Sequence, residues 1–457
     1  MKIGDVSFWY SDIGLPDRRP PLDGDDAADV AIIGAGYSGL WTAYYLTQAA
    51  PHLSVVVIER EFAGFGASGR NGGWLTGGFA WNHESYARES SETAVRAMVA
   101  AMNGTVDEVL RVAEAEGIDA DIRRTEEMMV ATNRAQMDRL RAEVAHRRHW
   151  GEADRIYEIG REEARARVAI PDSLGAMLVT NVARVQPAKL VRGLAEAVER
   201  RGVRILEGTA VSRYGNGRVE TDRGTIRAPV ILRCTEGFTA GLTGHHRDWL
   251  PLNSAQIVTE PLDDETWSRI GWQGHEILGD FANAYCYCQR TREGRIAVGG
   301  RGVPYRFGSR TDVDGAPDRE TIRRLTAVLH RHFPAARQAR IDHAWCGTLG
   351  VPRDWCASVG FDPATGLGWA GGYVGVGLST SNLAGRTLAE LAMAQQSALT
   401  ALPWVNRRPR RWEPEPFRWL GVRGMYALLN AADRREARPG AGPSRLARLG
   451  NWLTGRG

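Results

Sequence analysis

The clearest pattern of apolar and polar positions lies near the start of the chain, where two short apolar runs flank a glycine-containing turn and an alanine-rich segment. The runs 29–33 and 54–59 predict buried strands, and residues 40–50 predict a helix. The order strand, turn, helix, strand at this length is typical of a β-α-β unit, whose strands are parallel. The sequence therefore predicts an α/β fold.

Further elements are predicted along the rest of the chain. Residues 91–163 are rich in Ala, Glu and Arg, with an apolar spacing that predicts helices, whereas residues 256–300 alternate as strands of a sheet do. The first 27 residues are polar and contain prolines, so we expect them to lie over the surface. Other predicted elements are helices at 189–201, 321–332 and 379–396, strands at 203–208 and 229–234, and a hairpin around Tyr214–Gly217.

Positive charge is concentrated at the C-terminal end. Residues 402–457 contain 12 Arg against 4 Asp and Glu, a balance of +8, so the remainder of this chain of formal charge +4 carries 4 − 8 = −4. The basic excess therefore belongs to the C-terminal extension, and the main body has no charge pattern of a nucleic-acid-binding protein.

Cysteine usage and hydropathy bear on the compartment. The five cysteines are an odd number, the N-terminus has no basic-then-apolar signal, and no run reaches the roughly 18 apolar residues of a membrane span. We expect a cytoplasmic protein with free thiols and no integral membrane segment.

The turn after the first strand carries a dinucleotide-binding pattern. Gly34, Gly36 and Gly39 form G-x-G-x-x-G between the predicted strand and helix, where they permit a tight turn, close approach to a pyrophosphate, and helix–strand packing. Glu59 ends the second strand 20 residues after Gly39, where a carboxylate accepts hydrogen bonds from a ribose. The sequence therefore predicts a Rossmann-type dinucleotide site.

Three further segments favour FAD over NAD. A glycine-flanked loop at 68–73 follows the second strand, residues 225–237 form a strand that ends in small and polar residues, and glycines at 368–377 precede a helix whose N-terminus can face a flavin. Only one G-x-G-x-x-G is present, so we expect the organic substrate to be the reductant. The predicted cofactor-binding residues are Gly34, Gly36, Ser38, Gly39, Glu59, Arg60, Ser68, Arg70, Asn71, Gly72, Gly73, Val211, Thr235, Gly237, Gly372, Tyr373, Gly375, Gly377 and Leu378.

Because these signals lie near both ends of the chain, the FAD-binding domain is predicted to be discontinuous. It would comprise residues 1–95, 180–245 and 340–400, and an inserted α+β substrate domain on a mixed sheet would comprise 96–179 and 246–339. Residues 401–457 would form the basic extension.

Taken together, the motifs GAGYSG, SGRNGG, ARVQPAKLVRGLAEA, CTEG and GGYVGVGLSTSNLAGR resemble the D-amino acid oxidase/glycine oxidase superfamily of FAD-dependent oxidoreductases. The resemblance covers residues 29–399, and the ending RRWEPEPFRWLGV is similar to a branch that includes γ-glutamylputrescine and aminophosphonate oxidoreductases. It implies an enzyme that removes a hydride from a carbon bearing an amine, giving an imine that hydrolyses. Oxygen or another compound would then accept the electrons.

Two positions depart from the pattern of this family. Leu349 stands where amino-acid-oxidising members have an arginine that clamps the substrate carboxylate, which argues against a plain α-amino acid as substrate. The strand 295–300 lacks the lysine that sarcosine-oxidising members place above the flavin.

Candidate substrate residues follow from the resemblance. Tyr285 and Tyr287 alternate on one strand face and could roof the substrate, or they could be packed with buried hydroxyls. Arg301 could hold a phosphonate, a carboxylate or the flavin, or lie at the surface. Cys346 is a candidate for covalent flavin attachment and His83 for a position near the flavin. Cys286 and Cys288 have no nearby histidine in the sequence, and no metal site is expected.

Two other functions stay open at this point. The chain could be a non-catalytic FAD-binding subunit, because the expected lysine and arginine are missing, or an NAD(P)H-driven flavin monooxygenase on a related fold. The sequence does not determine the oligomeric state.

Overall fold

The computed structural model describes residues 1–78, 82–300, 305–311, 314–438, 441–447 and 450. Its helices are α1 (Phe8–Ile13), α2 (Tyr37–Ala49), α3 (His83–Glu89), α4 (Glu92–Ala115), α5 (Arg134–Arg147), α6 (Arg161–Arg167), α7 (Pro187–Arg200), α8 (Asp264–Ile270), α9 (Arg319–His332), α10 (Gly377–Ala392) and α11 (Phe417–Glu436). Its strands are β1 (Lys2–Ile3), β2 (Asp26–Ala27), β3 (Val30–Ile33), β4 (Val55–Ile58), β5 (Trp74–Leu75), β6 (Arg123–Ala131), β7 (Ile156–Gly160), β8 (Gly175–Arg184), β9 (Arg204–Leu206), β10 (Val211–Gly215), β11 (Arg218–Thr221), β12 (Gly224–Arg227), β13 (Val230–Arg233), β14 (Leu250–Thr259), β15 (Ile277–Asp280), β16 (Cys286–Arg290), β17 (Ile296–Gly300), β18 (Ile341–Val351), β19 (Ser358–Asp362) and β20 (Leu367–Gly371).

A six-stranded sheet contains the predicted β-α-β unit as β3, α2 and β4. Its order is β19-β20-β13-β3-β4-β9, and all neighbours are parallel except β19 and β20. In β3, Val30 and Ile32 pack towards α2, while Ala31 and Ile33 pack towards the four-stranded sheet β10-β11-β12-β2. Strands buried on both faces have continuous apolar runs, which is why this unit is evident from the sequence.

A ten-stranded mixed sheet forms the other half of the molecule. Its order is β1-β18-β14-β17-β16-β15-β6-β8-β5, and β7 also pairs with β8. Helices α8 and α9 cover one face, where Trp272 and Phe333 stack with ring centroids 5.2 Å apart. The α/β class with a mixed sheet agrees with the prediction, whereas the domain limits given above stay a prediction.

The prediction of helices over residues 91–163 is wrong for two segments, which are strands. Helices α4 and α5 are present, but β6 and β7 lie between and after them. Strand β6 begins with Arg and Glu and contains two methionines, so its own composition favours helix. Pairing with β8 on one side and β15 on the other decides its conformation.

The expectation that the first 27 residues lie over the surface is wrong for α1. Phe8, Trp9 and Tyr10 are buried, and Ser7 caps the helix by accepting a hydrogen bond from the Tyr10 N–H. These rings pack between the ten-stranded sheet and the loop that follows β4, in one cluster with Trp345 of β18 and Phe62. The polar character of the flanking residues hides this short apolar anchor in the sequence.

The C-terminal extension packs on the body through α11 and the segment before it. The Trp412 indole is buried and donates to the Val351 carbonyl at 2.7 Å. Asp433 of α11 accepts hydrogen bonds from Asn283, and Glu436 pairs with Arg139 of α5 at 2.8 Å. In the described part of the chain, no helix has both the length and the apolar character needed to cross a bilayer.

Candidate active site

A cavity of about 880 Å³ joins the two large sheets. One end lies at the carboxyl ends of the parallel strands β3, β4 and β13, where the loops that follow them converge. The other end lies between α5 and the strands β6, β8 and β16. We refer to these as the nucleotide end and the substrate end. The volume is near the upper limit for ligand pockets, so the cavity has room for a ligand larger than most small molecules.

At the nucleotide end, the turn between β3 and α2 brings the backbone to the cavity wall. Gly34 has a φ of +104°, and a Cβ there would lie 2.7 Å from the Cys234 carbonyl oxygen, so only glycine fits. Gly36 caps α2, and the next N–H, that of Tyr37, donates to Ser68 Oγ at 2.8 Å. The N-terminus of α2 thus faces the cavity, an arrangement that stabilises a bound phosphate.

Glu59 lies at the end of β4 on the same wall. Its two carboxylate oxygens accept hydrogen bonds from the N–H groups of Ala35 and Glu61, each at 2.9 Å. Burial raises the pKa of Glu59 although these two donors oppose the shift. The bonds fix the carboxylate beside the glycine turn, as a ribose-binding acid requires.

The loop 68–73 is held in place by the ten-stranded sheet and by α1. The Arg70 carbonyl accepts hydrogen bonds from Trp345 at 2.9 Å and from Gln256 at 2.5 Å, and the Asn71 carbonyl accepts one from Trp9 at 2.8 Å. The Arg70 guanidinium donates to the Phe65 carbonyl and stacks on the Phe65 ring, 4.4 Å from its centroid. The loop is therefore rigid where it lines the cavity.

Most of the predicted cofactor residues line this cavity. They are Gly34, Gly36, Ser38, Glu59, Arg60, Ser68, Arg70, Asn71, Gly72, Val211, Thr235, Tyr373, Gly375, Gly377 and Leu378. Gly39, Gly73, Gly237 and Gly372 lie behind the wall instead, where they allow close packing. A Cβ at Gly39, for example, would lie 2.0 Å from the Gly34 carbonyl oxygen.

Glu236 is a lining residue that the sequence analysis did not select. Its carboxylate accepts hydrogen bonds from the N–H groups of Gly350 at 2.5 Å and Tyr373 at 2.8 Å, which ties β18 to the glycine-rich loop before α10. Burial raises its pKa to about 7, although these donors and Arg233 oppose the shift. The residue has a left-handed φ of +44°. The motif CTEG contains it, but only the fold shows what its carboxylate contacts.

At the substrate end, Tyr285 and Tyr287 both line the cavity. The Tyr287 hydroxyl lies 2.9 Å from Ser254 Oγ, and its ring packs on Gly72 and Gly299, where a Cβ would lie 2.8 and 2.2 Å from ring atoms. Cys286 is buried on the opposite face of the strand, as the alternation predicts. Arg301, the third predicted residue, lies outside the described residues.

The remaining family-based candidates are also located by the structure. Leu349 lines the cavity, so an apolar side chain occupies the wall where the clamping arginine was sought. His83 lines it too, stacked on Trp150 with centroids 5.3 Å apart, and burial lowers its pKa to about 3. Cys346 is buried and is not among the lining residues. Arg295 points to Asp342, 2.6 Å away.

The fold brings His332 to Cys286, although no histidine is close to it in the sequence. The His332 Nε2 lies 3.8 Å from Cys286 Sγ and 3.4 Å from an Asp280 oxygen, and all three side chains are buried. Burial would lower the pKa of His332, but Cys286 and Asp280 outweigh it and raise the pKa to about 10. The three ligand-type atoms lie within 4.8 Å of one another, and in this structure Asp280 and His332 form an ion pair at 3.4 Å.

A cluster of charged side chains lines the far part of the substrate end, and the sequence analysis did not predict it. Glu127 projects from β6, and Glu143, Arg147 and Glu152 project from α5 and the turn that follows it. One signal was available, because Arg139, Glu143 and Arg147 are spaced four residues apart and so share a helix face. Nothing in the sequence placed that face over Glu127.

Several known proteins resemble this chain in sequence. The family model described as FAD dependent oxidoreductase matches residues 29–391. The chain is 27% identical over 411 residues to γ-glutamylputrescine oxidoreductase of Escherichia coli (strain K12), covering 88% of this chain and 92% of that protein. It is 28% identical over 412 residues to "Probable oxidoreductase OrdL" of Rhizobium meliloti (strain 1021), covering 86% and 90%.

Among solved structures, glycine oxidase from Geobacillus kaustophilus matches with a TM-score of 0.70 and 21% identity. The match covers 84% of this chain and all of that one, at 100%. At this identity the likeness establishes the fold, which agrees with the predicted α/β architecture.

Proposed function

Because the chain belongs to the family of FAD-dependent oxidoreductases, we propose that it oxidises a C–N bond of a small amine-bearing substrate in the cavity described above. The resemblance to a γ-glutamylputrescine oxidoreductase supports an amine as the reacting group. The observation that carries the proposal is that one continuous cavity joins the glycine turn to Tyr285 and Tyr287.

The nucleotide end fits FAD. A Cβ at Gly34 would lie 2.7 Å from the Cys234 carbonyl oxygen and one at Gly36 would lie 3.0 Å from Ser68 Oγ, so the two glycines allow the turn that brings backbone, without side chains, to the wall where a pyrophosphate would bind. Glu59 would hold the ribose. The loop 373–377 and the N-terminus of α10 lie on the same cavity, and Tyr373 is fixed there by a 2.8 Å hydrogen bond to Ser38. These residues would hold the flavin portion.

Bound FAD would supply the two-electron oxidant: the substrate would lose a hydride from the carbon beside the nitrogen and a proton from the nitrogen, and the resulting imine would be hydrolysed by water. The chain's own residues bind and orient the substrate. Tyr285, Tyr287, Met129 and Met177 line the substrate end and exclude water from the reacting carbon. In this proposal, oxygen or another compound accepts the electrons and reoxidises the enzyme.

The test is anaerobic mixing of the purified yellow holoenzyme with a panel of amines, followed by absorbance at the flavin band. Bleaching by amines supports the proposal. Bleaching by NADPH alone would instead indicate a monooxygenase, and no bleaching by any amine would indicate a non-catalytic FAD-binding subunit. Readmission of air then separates an oxidase, which regains its colour within seconds, from a dehydrogenase.

A further inference from the structure

The substrate end carries more negative charge than its own cations balance. Helix α5 lies over the face of β6 and β8 from which Met129 and Met177 project, with Leu140 and Val144 packed against that face. The polar residues of this interface, Glu127, Glu143, Arg147 and Glu152, all line the cavity.

Arg147 is already committed to Glu152. Its guanidinium makes two hydrogen bonds to the Glu152 carboxylate, at 2.7 and 2.8 Å, and both side chains are buried. Asn103 adds a third bond to that carboxylate at 3.3 Å. A bidentate, buried pair of this kind is neutral as a unit, so it leaves no full positive charge for a neighbour.

Glu127 is nine-tenths buried, with 9% of its surface exposed, and yet it has no cationic partner among the described residues. One of its oxygens accepts a hydrogen bond from Thr76 Oγ1 at 2.8 Å. No described residue donates to the other oxygen, Oε1, although the side chain lines the cavity. Burial raises the pKa of Glu127, while Arg147 opposes the shift.

Glu143 faces the same space from α5. Within the described ranges, its carboxylate has no hydrogen bond and no ion pair, and burial raises its pKa although Arg147 and His146 oppose the shift. The other basic side chains near the far wall have acidic neighbours of their own, although one buried N–H group of Arg139, Nη2, has no hydrogen-bond partner among the described residues. Arg139 pairs with Glu436 at 2.8 Å, and His146 lies 3.5 Å from Glu84.

We infer that Glu127 and Glu143 bind a second cationic group of the substrate, an ammonium or guanidinium joined to the oxidised amine by a short methylene chain. The inference rests on the proposed function and names its substrate class, a diamine-like molecule. Met129, Met177 and the two tyrosines supply an apolar wall for the methylenes, because thioethers and rings adapt to such chains. Leu349 offers no cation to a substrate carboxylate, which is consistent with this assignment.

The experiment compares three probes of similar length on the holoenzyme: 1,4-diaminobutane, n-butylamine and 4-aminobutanoate. Anaerobic flavin reduction gives the rate at saturation and the apparent Kd, and calorimetry on the oxidised holoenzyme gives binding without chemistry. We expect 1,4-diaminobutane to bind at least about tenfold more tightly than n-butylamine, because one additional charge-assisted hydrogen bond in a buried site lowers the Kd by about this factor. The acid should bind most weakly.

Three variants sharpen the test. Glu127→Gln and Glu143→Gln should each lower the diamine-to-monoamine affinity ratio about tenfold. Glu196→Gln, which removes an exposed carboxylate on α7, should leave the ratio unchanged. Thermal melting of each holoenzyme confirms that the fold is intact.

The outcomes separate the two proposals. If n-butylamine reduces the flavin as well as the diamine does, and the glutamine variants bind both probes alike, the inference is overturned while the proposed function stands. If no amine reduces the flavin, the proposed function fails, and calorimetry still decides whether the carboxylates bind a dication.

Discussion

The two ends of the cavity are built from different parts of the chain. The nucleotide end is built from backbone: a turn with a positive φ at Gly34, the N-terminus of α2 with Gly36 as its cap, and a carboxylate fixed by backbone donors. The substrate end uses side chains from several strands and helices, including ionised groups in a buried setting. We therefore expect the nucleotide end to tolerate few substitutions that change its shape. At the substrate end, we expect replacement of a single charged residue to change the specificity.

The largest effect is expected at the buried ion pair beside the substrate end. His332→Leu leaves Asp280 charged, buried and without its main partner, which costs about 3 to 5 kcal/mol in the free energy of unfolding. Chemical denaturation of the holoenzyme measures it. His330→Leu on the same helix is the control, and an equal loss in both variants would contradict the role of the pair.

The same pair gives a pH dependence. The pKa of His332 is raised in the folded state, from 6.5 to about 10. Its stabilisation is therefore complete below about pH 6.5 and is lost as the pH rises through 10. We expect the unfolding free energy of the unmodified protein to fall over this range. In His332→Leu, the unfolding free energy should not show this fall with pH. If the variant shows the same pH dependence as the unmodified protein, His332 is not the group responsible.

The next effect concerns shape at the nucleotide end. In Gly39→Ala the new Cβ would lie 2.0 Å from the Gly34 carbonyl oxygen, so α2 must move from β3 at a cost of about 3 kcal/mol. The variant should be purified largely without flavin, as absorbance shows. Gly104→Ala, in the middle of α4 with nothing within 4 Å, should gain up to about 1 kcal/mol instead.

A smaller effect is expected at Glu236, which follows β13 on the cavity wall. Glu236→Gln replaces a carboxylate that accepts two backbone N–H groups with an amide whose NH₂ faces one of them. The loss of a charged hydrogen bond, about 1.5 kcal/mol, should weaken FAD binding about tenfold. Flavin fluorescence on reconstitution of the apoprotein measures it, with Glu413→Gln at the surface pair with Arg353 as the control. Equal affinities in the two variants would exclude this positioning role.

The smallest effect tests charge on the cavity wall at Leu349. Leu349→Arg introduces a cation on the cavity wall and should tighten binding of 4-aminobutanoate about fivefold, the value of a partly solvated ion pair of about 1 kcal/mol. Leu349→Met serves as the isosteric control. If the arginine variant binds the acid no better than the methionine variant does, this wall does not contact the substrate.

Sequence analysis predicted the two ends to different depths. The β-α-β unit and most lining residues of the nucleotide end were identified, because Gly34, Gly36 and Glu59 have fixed spacings that a dinucleotide imposes on a continuous segment. At the substrate end, Tyr285 and Tyr287 were identified from the alternation of one strand and the family resemblance. Strand β6 was assigned to helix, and Glu127 was therefore missed.

The sequence by itself determined the nucleotide end, since the physical requirement there is local: a tight turn, a helix start and an acid at the end of the next strand. Only the tertiary structure decided the substrate end. Glu127 and Glu143 are 16 residues apart on elements of different type, and His332 is 46 residues from Cys286. Packing of α5 on β6 and of α9 on the sheet brings these charged side chains together. The burial that shifts their pKa values therefore exists only in the folded chain.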